Sequence, residues 1–174
     1  MSIRTTILAA CAGLMGCVSP PASAGAAAES VASLDGLIGC WSASGEVQGK
    51  HTENAMRGSW RLDRRYVLLE VHGLDPADPY DAAIVIADAG EGALTAFWMD
   101  SFGGAYSVSG AGRATGSELV ISYAYPDAIY VNRFARTPEG WAWRITEEKA
   151  GETPQLFAQY ELRPASCAGM PDVF

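Results

Sequence analysis

From Leu37 onward, apolar and polar side chains alternate with a period of two, and turn-forming residues recur about every ten positions. Successive side chains of a strand point to opposite faces, so this period marks half-buried strands. Ten segments carry it: 37–47, 54–62, 65–73, 80–88, 93–100, 104–112, 117–125, 128–137, 141–148 and 155–163. Turn chemistry separates them: Gly49-Lys50, Asp63-Arg64, the Asp75–Pro79 cluster, Ala89–Gly92, Gly103-Gly104, Thr115-Gly116, Pro126-Asp127, Pro138–Gly140 and Ala150-Gly151. Gly110-Ala111-Gly112 also reads as a hairpin turn. Most connections are short, so sequence neighbours should pair antiparallel.

No segment after Ser33 sustains a helical apolar repeat; only 26–36 is compatible with a short helix. The hairpins therefore have no helix to pack on and must bury their apolar faces on each other. The expected fold is all-β: a single antiparallel up-and-down β-barrel of about ten strands. An even strand count makes strands one and ten antiparallel where the barrel closes. A two-sheet sandwich is the alternative.

The chain before this pattern has a different build. Residues 1–24 hold a single charge, Arg4, then an apolar run from Ile7 to Val18, too short to span a bilayer at about 20 residues. A basic start, apolar middle and small-residue end make a secretory signal. Ala22-Ser23-Ala24 is an A-x-A site, giving a signal peptide over 1–24. Leu14-Met15-Gly16-Cys17 resembles a bacterial lipobox, giving a signal over 1–16 and a lipid-anchored Cys17 on a tether. Either cut exports the protein, to the periplasm or the exterior, or as a membrane-anchored lipoprotein. The remaining divisions are a linker or short helix at 25–36, the barrel at 37–167 and a tail at 168–174.

Charge removes one class of partner. The 174 residues carry a net charge of −8, a poor match to a phosphate backbone, so no nucleic acid is expected. At 49% hydrophobic the chain has enough apolar content for a core. Cys11 and Cys17 lie in the leader, leaving Cys40 and Cys167, a disulfide candidate in an oxidising compartment. They flank the first and last strands, which share one rim in a closed ten-stranded barrel. The alternative is two buried thiols.

Gly39-Cys40-Trp41 is a G-x-W in the first strand, and Trp98-Met99-Asp100-Ser101 ends the fifth. The Gly110–Gly116 stretch and the Arg133-bearing eighth strand follow at matching intervals. With these features the chain resembles a bacterial family of unknown function, often exported, whose members are small lipocalin-like barrels of the calycin superfamily. The resemblance spans about 37–163 and implies a lipocalin- or fatty-acid-binding-protein-like barrel, with no activity attached. The haem-binding nitrobindin branch, also ten-stranded, uses a histidine near the C-terminal end of its barrel; this chain has no histidine after His72.

Aromatic content points to a pocket. All 17 aromatic residues follow the leader, and a ten-stranded barrel is too wide for side chains to plug fully. A small, largely apolar ligand would lie against Trp98, Trp143 and Tyr66, with Arg133 as its polar anchor and Asp100 and His72 as further polar groups. The one-residue slip that exchanges a strand's faces leaves the inward set of each strand open. Arg133 is alternatively the partner of Glu70 or Asp100, or part of an ion pair at the rim. No cofactor, metal or catalytic motif is expected: two histidines give no ligand cluster, and G-x-S-x-G is absent. The other readings are an envelope structural or interaction module with a packed interior, and a barrel enzyme using Glu70, His72 or Asp100 as acid and base. The oligomeric state is open.

Overall fold

The computed structural model describes residues 33–170. The leader with both processing sites and Cys17, most of 25–36, and residues 171–174 lie outside them. The described chain forms ten strands: β1 (Gly39–Val47), β2 (Lys50–Arg61), β3 (Tyr66–Gly73), β4 (Asp81–Gly90), β5 (Ala93–Asp100), β6 (Val108–Thr115), β7 (Glu118–Ala124), β8 (Ile129–Thr137), β9 (Gly140–Glu148) and β10 (Gln155–Pro164). Each pairs antiparallel with its sequence neighbour, and β1 pairs antiparallel with β10, so the sheet closes as an up-and-down barrel. Closure leaves no unpaired strand edge.

Two strand starts depart by four residues from the sequence pattern. β2 begins at Lys50 rather than 54, because its first four residues at the rim are polar on both faces, Lys50 and Thr52 inward and His51 and Glu53 outward, so the alternation has no apolar half there. β6 begins at Val108 rather than 104; residues Gly104–Tyr106 form a 3-10 turn. Gly110-Ala111-Gly112 is strand interior, not a turn; the hairpin turn is Gly116-Ser117, between paired Thr115 and Glu118. The glycines are there for space: a Cβ on Gly112 would lie 2.0 Å from the Val120 carbonyl oxygen, and one on Gly110 would lie 2.6 Å from the Tyr123 ring.

The interior divides into two halves. At one end, Trp41, Met56, Leu69, Ile86, Leu119, Phe134, Trp141 and Leu162 fill the barrel. A segment before β1 plugs this end. Residues 33–35 are helical, and Leu34 and Leu37 are fully buried. The Trp41 indole N–H donates to the Leu37 carbonyl (3.0 Å) and that of Trp141 to the Gly36 carbonyl (2.9 Å), fixing the plug by its backbone. The Arg136 guanidinium lies 4.5 Å from the Trp141 ring centre. The Cys40–Cys167 disulfide closes the same end, Cα to Cα 5.3 Å, across 127 positions of sequence. The other end is open.

Candidate functional site

The open end leads into a cavity of about 1020 Å³. Register fixes its walls. The aligned positions Val71, Ala82 and Asp100 face inward, as do Ile84, Trp98 and Val108 one step along. On the far side the inward set includes Tyr123, Tyr130, Asn132, Trp143, Ile145 and Tyr160. A register irregularity between Leu156 and Ala158 turns Phe157 inward beside Ala158 and leaves Leu156 exposed.

Aromatic side chains dominate the lining. Six of the seven tyrosines, Tyr80, Tyr106, Tyr123, Tyr125, Tyr130 and Tyr160, reach it, with Trp98, Trp143, Phe102 and Phe157. They support one another in three groups. Trp143 stacks between Phe134 and Tyr160, both with centroids at 5.0 Å, and Trp98 meets Tyr123 edge-on at 5.7 Å. Tyr130 is edge-on to both Tyr125 (5.4 Å) and Phe157 (5.1 Å). Phe102 joins Tyr80 to Tyr106 at the mouth. These contacts fix the rings in place, so the wall is largely formed before any ligand arrives.

Polar groups are few and placed. The Trp143 indole N–H donates to Asn132 Oδ1 (3.0 Å), satisfying a buried amide. Tyr160 lies over Gly45, where a Cβ would meet its ring at 2.8 Å, and its hydroxyl faces Thr52 and Asn54. Thr52 Oγ1 is nonetheless buried without a well-formed hydrogen bond. Asp100 Oδ2 accepts the Trp98 indole N–H (3.0 Å) and its Oδ1 the Phe102 amide (3.0 Å). Burial lifts the Tyr80 and Tyr123 hydroxyls far above the ordinary tyrosine range, and the Asp100 charge adds to the shift at Tyr80. Tyr125 and Tyr160 are also raised, again by burial first. Tyr130 is pushed up to about 12 by burial and by its hydrogen bond to Glu147.

The six residues expected to form one pocket separate. Trp98, Trp143 and Asp100 line the cavity. Tyr66, His72 and Arg133 stand on the outer wall, because each is one position out of step with the inward set of its strand. Tyr66 is 40% exposed. His72 is hydrogen-bonded to Asp81 on the neighbouring strand, and Arg133 pairs with Glu118 at 2.7 Å. Arg133 therefore meets neither Glu70 nor Asp100, and it does not line the cavity. Glu70 is buried on the outer wall, where Arg57 donates to both of its oxygens at 2.9 and 3.0 Å. Glu70 and His72 face away from Asp100, so the three share no site for acid–base chemistry. Among the described residues no three His, Cys, Asp or Glu side chains cluster as metal ligands.

Most of the tyrosine wall was missed in the sequence, which drew attention to the one tyrosine outside it. A signal was present: Tyr123-x-Tyr125 and Trp141-x-Trp143 put bulky rings two apart, on one face of their strands.

The fold and the cavity together define a closed ten-stranded antiparallel barrel, plugged at one end and open at the other. No protein-family model matches the sequence, and no curated protein matches it. Among solved structures the chain is similar to Rv2717c from M. tuberculosis, with a TM-score of 0.61 and 12% sequence identity. The alignment covers 79% of this chain and 98% of that one. At that identity the likeness is one of fold.

Proposed function

We propose that this protein is an exported binding barrel that holds a small, largely apolar molecule in its open half. The observation that carries the reading is the cavity itself: about 1020 Å³, lined by ten aromatic side chains that brace one another instead of filling the space. A barrel serving only as a structural module gains more by packing that volume, since empty apolar space forfeits contacts. Binding would proceed by burial of the ligand's apolar surface, worth about 25 cal/mol per Å² before the cost of association. Export is supported by the 1–24 leader and by a disulfide that requires an oxidising compartment. A lipid on Cys17 would be its route to a membrane.

Native mass spectrometry of the protein purified from its secretory host is the test. A bound small molecule, released on unfolding, is the expected result. Repeated absence of one, together with no binding of apolar dyes or alkyl probes, overturns the reading. N-terminal sequencing of the same sample separates a start at Gly25 from a lipidated Cys17.

A further inference from the structure

The charges around the cavity are lopsided. Five carboxylates, Glu53, Asp75, Asp78, Asp100 and Asp127, and two basic residues, Lys50 and His51, border it, Glu53 and His51 from the outer face of β2 at the rim. Both basic residues are already engaged: Lys50 with Asp78 at 2.6 Å and His51 with Glu53 at 2.9 Å. Asp100, on the inward face of β5, has hydrogen bonds but no ion pair among the described residues. Its field reaches the hydroxyls of Tyr80 and Tyr125, each of which it makes harder to ionise. Among the described residues no arginine lines the cavity to receive an acid.

Aromatic faces carry negative quadrupole potential, so rings and an uncompensated carboxylate favour the same kind of ligand. Around Asp100 stand Trp98, Tyr80, Phe102 and Tyr125. A fatty-acid-like carboxylate entering here would meet repulsion at the mouth and find, among the described lining residues, only cations already paired. Resting on the ligand-binding reading above, we propose that the ligand is a cationic amphiphile: an apolar body with an ammonium head seated against Asp100 within these four rings.

The test compares three ten-carbon probes by calorimetry and tryptophan fluorescence, each below its micelle or solubility limit: decyltrimethylammonium, 1-decanol and decanoate. The ammonium should bind about tenfold tighter than the alcohol, and decanoate more weakly than either. In Asp100→Asn the ratio of ammonium to decanol affinity, measured within the variant, should fall to about threefold or less. Decanoate binding as tightly as the ammonium, or an unchanged preference in Asp100→Asn, overturns the assignment. If that variant does not fold, the wild-type ranking of the three probes decides. Decanol binding without preference for the ammonium overturns the charge assignment alone. Failure of all three to bind overturns the cavity reading with it.

Discussion

Removing the Cys40–Cys167 bond should cost this barrel more than any single side chain in its wall. The bond joins residues 127 positions apart, so it constrains almost the whole described chain when unfolded. In the chain-entropy treatment a loop of that length corresponds to about 5 kcal/mol, a ceiling that residual structure in the unfolded chain lowers. In the folded protein the bond adds little order, because seven registered pairs from Trp41–Pro164 to Val47–Ala158 already hold β1 to β10. The Ala165 amide also donates to the Cys40 carbonyl at 2.8 Å. The effect therefore acts through the unfolded state. Urea unfolding of the oxidised protein, of the reduced protein and of Cys40→Ala/Cys167→Ala is the assay. With a slope of about 2 kcal/mol per molar, both unbridged forms should unfold about 1.5–2.5 M earlier. Affinity for any cavity ligand should stay unchanged, since the bond lies at the plugged end. A midpoint shift below about 0.5 M in both unbridged forms would refute the argument. So would two titratable thiols in the denatured, unreduced protein.

Other outcomes follow from the same geometry. Glu70→Ala leaves the Arg57 guanidinium without its bidentate partner; because Arg57 is partly solvated, the loss should be about 2 kcal/mol, read from denaturation midpoints. Arg133→Ala should cost below about 1 kcal/mol and leave cavity binding intact; a tenfold loss of affinity would return Arg133 to the site. Alkaline titration followed at 295 nm should show Tyr80, Tyr123, Tyr125, Tyr130 and Tyr160 ionising above the usual tyrosine range. Because their folded pKa values are raised, the folded state holds these protons longer than the unfolded chain does. Their contribution is complete below about pH 10 and fades as the pH climbs through the folded values. Those five ionising in the ordinary tyrosine range in the folded protein would contradict the burial described.

The strand count, the antiparallel closure and the disulfide were legible in the sequence because each rests on a strong local signal. Alternation defines strands, short turns force hairpins, and an even number brings Cys40 and Cys167 to one rim. Two things were not legible. Gly110 and Gly112 resemble turn residues, and only the positions of Tyr123 and Val120 on the adjacent strand show why a strand needs glycine there. The second was which face of each strand looks inward. Glu70, His72 and Arg133 share their faces with apolar residues, and an outer wall carrying paired charges over half-buried apolar groups imitates an inner one. Cross-strand partners such as Arg57 and Glu118, far away in sequence, resolve that ambiguity.

The plug and the bridge have a practical consequence. Ser33 and Cys167 both lie at the plugged end, so the described chain enters and leaves the barrel on the side away from its mouth. A surface, a label or a fused partner attached through either of those ends would stand behind the barrel and leave the entrance facing outward. A molecule held that way on a sensor chip would present its opening to the flowing solution.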